Sequence, residues 1–510
     1  MKRRTLKLFA RRWHRLLMWL VSAQLLIWAV TGLYMVSVDI HDIHGDRILA
    51  PQASLPVRDI DASFQQIIDQ LHAQDMLFSH ISLRTLAKPM FIITTGSSPY
   101  QAQRFASTTA QPAALPLQQQ FIIAQTQAQL VEPYRSASVT SFALQSRASS
   151  LAAPEPFDSL PDEVSSRYQQ AYRISLDTWD NVTLYVHPTT GEIITKRHSL
   201  WRIFDWAWRF HITDYDDGAN VHNRWLQLLA IVSLAAVIFG SITLIYRFKA
   251  RPGYTAQQQY RYSSRKHWRS TLQFIHKCIA IIVVVPLFIW LVTGLALSLI
   301  KPDPIHSFSG LSSPSTSFNL SSALAPAQML SPTLLLEKSV SQWLVPSVAQ
   351  HPIEVNLVPR LGQWVIEQVY QKGFHPSMAA HKQLLTLTGE VLHINQTSLA
   401  AALNAQNSAL GQVDTIVAFT PTLATLTGYQ NPILAVTFNQ SPQTHYFDAQ
   451  DGRWLGGYTF KRHALQLMRT LHFMDYVGNG QFNYVWNIFF AIGALLLAIT
   501  GIVSLMNKRY

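Results

Sequence analysis

The sequence holds 510 residues, 48% of them hydrophobic, with a single cysteine and a formal net charge of +12. One cysteine excludes an intramolecular disulfide, a CxxCH haem attachment and a Cys-ligated cluster. The positive balance does not point to nucleic acid, because the basic residues gather at the ends of apolar runs, where the positive-inside rule of membrane proteins wants them.

Four such runs stand out: Trp13 to Val38, Trp225 to Tyr246, Ile275 to Ile300 and Tyr484 to Met506. Each is long enough to cross a hydrocarbon core of about 30 Å as a helix rising 1.5 Å per residue, so four transmembrane helices are predicted. The first is too long for a signal peptide and has no small-residue cleavage site after it. Lys2, Arg3, Arg4, Lys7, Arg11 and Arg12 precede the first run, seven basic residues from Arg247 to Arg269 follow the second, and Lys508-Arg509 end the chain. These three regions are expected in the cytoplasm, with Asp39 to Arg224 and Lys301 to Asn483 on the other side.

Between the spans the pattern is that of α+β modules. Asp59 to Leu71 has helical periodicity, and Phe78 to Thr95 reads as two strands around a turn at Lys88-Pro89. Tyr172 to Ile194 alternates apolar residues up to a Thr-Gly turn, and similar endings recur at Thr388-Gly389-Glu390 and Asp451-Gly452-Arg453. Ala106 to Gln119 and Ser307 to Ala327, rich in Ser, Thr, Ala and Pro, read as connecting loops.

The chain is also duplicated. WHRLLMWLVSAQLLIWAVTGLYM, Trp13 to Met35, returns without gaps as IHKCIAIIVVVPLFIWLVTGLAL, Ile275 to Leu297, so that His14 falls on His276 and Arg15 on Lys277. Lys196-Arg197-His198 resembles Lys461-Arg462-His463. FHITDY ending at Tyr215 matches LHFMDY ending at Tyr476, which sets His211 on His472. Two halves of two spans each, running in the same direction, imply an axis along the membrane normal.

Such an axis could bring His14 to His276 near the cytoplasmic ends of the spans, and His211 to His472 on the outer side. A cofactor with two axial positions suits each pair, and haem is the candidate. The alternative is that single interfacial histidines and a Trp-His-Arg helix start are ordinary membrane anchors. Zinc would want an HExxH or a carboxylate-rich set, which is missing. Arg15 and Lys277 inside, and Arg209 and Arg469 (or Arg197 and Arg462) outside, are candidate propionate partners. Arg15 and Lys277 read equally well as positive-inside charges. His198 and His463 read as propionate or surface partners, and His222 has Asn483 at its matched position. Trp201, Trp206 and Trp208 suggest an interfacial amphipathic helix first and a ligand platform second.

The WHR start with its TGL ending, the FH and LH motifs followed by Gly218 or by Gly478 and Gly480, and strand endings such as YVHPTTGEII resemble the PepSY-associated transmembrane helix family. That resemblance covers the four spans and, more loosely, both soluble segments. It implies an α-helical membrane protein of two pseudo-symmetric halves with two α+β PepSY-like periplasmic segments, in a bacterial inner membrane with both termini in the cytoplasm. The expected divisions are 1–38, 39–195, 196–247, 248–271, 272–300, 301–460 and 461–510. The family includes iron-regulated proteins and ferric-siderophore reductases with two b-type haems. By motif, His14 and His276 would hold one haem and His211 and His472 the other, with electrons from quinol or a cytosolic reductase passing to a periplasmic ferric siderophore. No flavin or NADPH-binding region accompanies them, since no GxGxxG stands at a strand-helix junction. The competing expectation is a haem-free, membrane-anchored PepSY protein that binds a peptidase or envelope partner. A transporter is disfavoured, because the spans lack midplane charges and, Pro286 apart, helix breaks.

Overall fold

In the computed structural model α1 (Arg3–Ser37) runs into a short helix, α2 (Ile40–His44), and then into the first soluble part of the chain. There α3 (Phe64–Ala73) precedes β1 (His80–Thr85), β2 (Pro89–Thr94) and β3 (Ala102–Ala106). After these come α4 (Gln119–Gln127), β4 (Val139–Ser146), β5 (Gln170–Leu176), β6 (Thr183–Val186) and β7 (Ile193–Arg197). The chain returns through α5 (Ser199–Ile212) and α6 (Arg224–Phe248) and crosses again in α7 (Ser264–Leu299). The second soluble part holds β8 (Glu354–Arg360), β9 (Gln363–Gln371), β10 (His381–Leu385), α8 (Gln396–Gln406), β11 (Val413–Phe419), β12 (Ile433–Phe438), β13 (Ser441–Asp448) and β14 (Trp454–Tyr458). Last come α9 (Phe460–Phe473) and α10 (Val485–Met506).

The structure describes residues 3–56, 60–74, 78, 80–94, 102–113, 115, 118–146, 164, 168–216, 218, 220–248, 264–301, 351–361, 363–371, 381–406, 410–426, 429–478 and 482–506. The Ser307 to Ala327 patch, most of the basic loop after the second run, the Lys508-Arg509 tail and Gly480 lie outside the described residues.

The four predicted spans are helices, with apolar stretches at Thr5–Ser37, Arg224–Tyr246, Thr271–Leu299 and Val485–Met506. The shortest, 22 residues, covers about 33 Å at the helical rise and is sufficient for a bilayer core. α1 packs against α6 and α10, and α7 packs against the same two, so α1 and α7 stand at opposite corners of a square bundle. Small residues make the close approach possible: Ala230 and Ala236 on α6, and Ala491, Ala494 and Ala498 on α10, are buried where a larger side chain would hold the backbones apart. α1 and α7 begin well before the predicted starts, because the basic stretches ahead of Trp13 and Ile275 continue the helix. His14 and His276 therefore sit inside their helices, and the expectation that they open them is corrected.

In the soluble part, α3 lays Phe64, Ile67 and Leu71 on Ile81, Leu83, Phe91 and Ile93 of the predicted hairpin β1–β2. This sheet does not stop at its own segment. Its strand order is β10-β9-β8-β1-β2-β3, and β1 of the first segment pairs antiparallel with β8 of the second, Ile81 opposite Leu357 and Leu83 opposite Val355. The two remaining sheets are antiparallel meanders, β4-β5-β6-β7 and β11-β12-β13-β14. Ile122 of α4 is buried among Ile174, Leu184 and Val186 of the first. Leu399 and Leu403 of α8 are buried among Leu434, Val436 and Phe447 of the second.

Each meander docks its turn on the polar face of the six-stranded sheet. Arg84 of β1 donates to both carboxylate oxygens of Glu192 at 2.7 and 2.6 Å, and Lys382 of β10 bridges Glu367 at 3.3 Å and Asp451 at 3.1 Å. Burial pushes the Glu367 and Asp451 carboxyls up, but the neighbouring Arg360 and Lys382 cations more than reverse this and hold both below the ordinary carboxylate values. The glycines of the two turns, Gly191 (φ 71°) and Gly452 (φ 68°), take the left-handed conformation that lets the chain double back.

The meanders lead straight into α5 and α9. Thr459 caps α9, its side chain accepting from the Arg462 backbone N–H, and His198 stands at the same place before α5. Both helices have 14 residues and end on a left-handed residue, Thr213 or Met474. His198 thus corresponds to Thr459, and the match of Lys196-Arg197-His198 with Lys461-Arg462-His463 is one helical turn out of register.

Candidate functional site

The inner pair is built on diagonal helices, each histidine leaning on a neighbour. His14 of α1 sits against α6, its Nδ1 2.8 Å from the Ala236 carbonyl oxygen. The ring lies over Gly240, where an added Cβ would come within 2.9 Å of Cε1. His276 of α7 sits against α10, its Nδ1 2.9 Å from Thr500 Oγ1, over Gly501, where a Cβ would approach to 3.2 Å. The two imidazoles are near enough to interact electrostatically.

The outer pair uses the connecting helices. His211 near the end of α5 reaches Thr31 Oγ1 of α1 at 3.0 Å, and His472 of α9 reaches Thr293 Oγ1 of α7 at 3.0 Å. Each ring lies on the glycine that follows its threonine, with contacts a Cβ would make at 3.6 Å for Gly32 and 3.2 Å for Gly294. The ring centres of His211 and His472 are 6.3 Å apart, crossed at 74°. Burial, with the charge of His472 second, pushes His211 down to about 3. Burial likewise pushes His472 down to about 4, so both are neutral at physiological pH.

A count of hydrogens gives an assignment of the ring protons. A threonine hydroxyl has one hydrogen. Thr31 gives it to the Ile27 carbonyl at 2.8 Å, Thr293 to Ile289 at 2.6 Å and Thr500 to Leu496 at 2.8 Å. Each therefore accepts from its histidine, and the Ala236 carbonyl can only accept. With the threonine hydrogens so placed, Nδ1 is the donor in all four imidazoles and Nε2 keeps its lone pair, the tautomer a metal needs, with an acceptor behind it that orients the ring.

The spacing fits a metal held between two rings. With a metal–imidazole distance of about 2.0–2.1 Å, and the ring centre a little over 1 Å behind the nitrogen, centroids on opposite sides come out roughly 6.4 Å apart, against the 6.3 Å of His211 and His472. A structural zinc site would want four protein ligands. Among the described residues, no group of three or more His, Cys, Asp or Glu comes together in that way. The donor set suits a haem, which His211 with His472 and His14 with His276 would hold through their ring nitrogens.

The other predicted residues are placed less tellingly. Arg15 and Arg469 are exposed and Lys277 is half-buried. Arg209 donates to the Asp216 carbonyl at 3.0 Å and lies against Gly218. Arg197 covers the Trp201 ring at 3.9 Å, and Arg462 donates to the Gly457 carbonyl at 3.0 Å. His198 is buried with Nε2 3.0 Å from the Ile43 carbonyl in α2, which corrects its reading as a propionate or surface residue. His463 binds Thr425 Oγ1 at 2.8 Å. His222 binds the Ser298 carbonyl at 3.0 Å, while its matched Asn483 bonds the Val36 carbonyl at 3.1 Å. Of the three tryptophans, Trp206 faces outward, whereas Trp208 donates to the Gly218 carbonyl at 2.9 Å. Thr31, Thr293, Thr500, Gly240 and Gly501 carried no assigned role in the sequence reading. The repeated Val-Thr-Gly-Leu was the available signal for Thr31 and Thr293.

Compared with curated proteins, the sequence finds no match. A match to the family described as PepSY-associated TM region does extend over residues 98–508, taking in three of the four spans, both meanders and His211, His276 and His472. With most of its length matched, and with the membrane helices and sheets just described, the chain belongs to the PepSY-associated TM region family.

Proposed function

We propose that this protein carries electrons across a bacterial inner membrane through two b-type haems and reduces a ferric chelate of the siderophore class on the periplasmic side. The single observation that carries the reading is the matched support of the four histidines, each with Nδ1 against a protein hydroxyl or carbonyl oxygen. His14 with His276 would hold the inner haem and His211 with His472 the outer one, within two pseudo-symmetric halves. Bound there, haem supplies a one-electron Fe(III)/Fe(II) couple.

The chain's own residues do the rest. A threonine hydroxyl or a backbone carbonyl holds each ring through Nδ1, which would leave Nε2 for the cofactor. Glycine under each ring gives it room to lie flat against the supporting helix. The apolar sleeve of α1, α6, α7 and α10 excludes water from the interior of the bundle. α5 and α9 carry His211 and His472 onto Thr31 and Thr293 of the membrane helices, and this pair would be the one nearer a periplasmic chelate. Reduction loosens such a chelate, because hard oxygen donors hold Fe(III) better than Fe(II).

The test is an absorbance spectrum of the purified protein with a pyridine haemochrome count. A reducible b-type Soret and α-band with two haems per chain is expected. A colourless protein, folded by circular dichroism and still colourless after expression with added haem, would favour instead the haem-free PepSY binding protein.

A further inference from the structure

The helices that carry the outer histidines match in length and in their left-handed ends, yet they are held from different sides. The Tyr34 hydroxyl of α1 donates to the Leu200 carbonyl of α5 at 3.0 Å, and His198 reaches the Ile43 carbonyl of α2. The first meander bonds α5 in its first turn, through Ser199 N–H to the Asp180 carbonyl and Arg202 to the Asn181 carbonyl, both at 2.8 Å. On the other half the repeat sets Ala296 on Tyr34, and alanine has no hydroxyl to offer α9.

A loop of the second meander lies along α9 instead. This loop, residues 421–426, follows β11 on the way to β12. Thr422 and Thr425 close it, each backbone N–H donating to the other's carbonyl at 3.0 Å, and Leu426 follows at φ 51°, a left-handed conformation that is uncommon for a branched side chain. His463 Nδ1 lies 2.8 Å from Thr425 Oγ1 and 3.3 Å from the Ala424 carbonyl. The Thr470 hydroxyl donates to the Leu423 carbonyl at 2.8 Å. His463 and Thr470 stand seven residues apart on one helix face, so three consecutive loop residues span about 10 Å of α9. Thr425 and Thr470 are 2% and 3% exposed, which keeps water from competing for these bonds. The loop's last hold is two residues from His472. At the matched place in α5 stands Arg209, which turns to the Asp216 carbonyl of the segment leaving the helix.

We propose that His463 and Thr470 are positioning residues, through which the 421–426 loop of the second soluble module sets the place of His472 over Thr293 and Gly294. The outer pair then has one histidine that follows this module and one, His211, that follows α1. The inference rests on the haem reading of that pair. The orientation of an axial imidazole and the hydrogen bond behind it tune the iron, so a displacement of the module is felt at the outer haem as a change in its reduction equilibrium.

Thr470→Val in the purified full chain keeps the side-chain shape and removes the donor. Hydrogen exchange of residues 463–474 should quicken about fivefold, the scale of one lost hydrogen bond. In a redox titration read at the two α-bands, the outer haem's reduction equilibrium should shift about threefold or more relative to the inner haem's. Thr470→Ser should restore both. Faster exchange with both haems titrating as in the wild type means a merely structural role and overturns the proposal, as does unchanged exchange. If the wild type binds no haem, the haem reading fails by itself and exchange decides. Quickening up to His472 that Thr470→Ser reverses then supports the loop's hold, and unchanged rates refute it. If Thr470→Val does not fold, Thr425→Val, which removes the hydroxyl against His463, takes its place with the same outcomes.

Discussion

Gly240 leaves His14 less room than Gly32 leaves His211, and this difference predicts which of the two proposed haem sites each glycine would protect. A Cβ at Gly240 would meet His14 Cε1 at 2.9 Å and Nδ1 at 3.0 Å, closer than such atoms approach, while one at Gly32 would stand 3.6 Å from His211 in ordinary contact. Gly240→Ala should displace the His14 ring, at a cost of about 1–3 kcal/mol typical of an overpacked interior, and should lower inner-haem occupancy. Gly32→Ala should leave both haems bound. Haem counts on the two variants, with low-temperature α-band spectra to tell the haems apart, check the ranking; equal losses would mean that the glycines do not set the ring positions. The threonines make a second residue-scale prediction. Thr31→Val keeps the shape but removes the acceptor of His211 Nδ1, leaving a buried donor unpaired at about 1–3 kcal/mol, so outer-haem retention during dilution should fall roughly tenfold or more, and Thr31→Ser should restore it. At this scale the histidines and their pairing partners were legible in the sequence because duplication sets His14 on His276 and His211 on His472. What the hydroxyls do was not. A Val-Thr-Gly-Leu motif shows that a threonine recurs, and only the fold shows that its hydrogen is already committed to Ile27 or Ile289.

Among the elements, local pattern carried the hairpin β1–β2, the meander strands and all four membrane helices. It could not carry the pairing of β1 with β8. Ile81 and Leu357 are far apart in sequence, and nothing in the alternation of either strand says which edge it will meet. Register also misled at α5 and α9, because Lys-Arg-His recurs in the text but helix starts are set by caps, and Thr459 rather than His463 occupies the position of His198. The docking of the meanders carries its own pH dependence. Glu367 and Asp451 sit below their ordinary values of 4.5 and 3.8 in the fold, so as pH falls the unfolded chain takes up protons first. Their stabilisation is complete above about pH 5 and is lost as pH drops through the depressed folded values. Lys382→Met should destabilise the soluble part by about 3 kcal/mol at pH 7, the scale of breaking a buried ion pair, and should flatten the acid limb. Thermal unfolding followed from pH 7 to pH 3 measures both; an unchanged limb in the variant would show that the Lys382 bridge does not hold the meander down.

For the whole molecule the arrangement has a direction. In the proposed reading the basic residues at the N-terminus and after α6 would lie in the cytoplasm by the positive-inside rule, with His211, His472 and the soluble modules on the other side. His14 and Thr31 are separated by about 25 Å of helix, so in that reading the outer pair would be the exit to a ferric chelate and the inner pair would lie out of its reach. Two substitutions separate these roles. His472→Ala should abolish reoxidation of the dithionite-reduced protein by an added ferric siderophore while leaving the inner haem bound and reducible. His14→Ala should leave that reoxidation intact and instead block reduction from the cytoplasmic face, measured in inside-out vesicles supplied with a quinol. Stopped-flow absorbance gives the rates, and the haem count on each variant confirms which site was lost. If His472→Ala were reoxidised by the chelate as fast as the wild type, the outer pair could not be where electrons leave, and the assignment of the soluble side as the exit would have to be abandoned even with two haems in place.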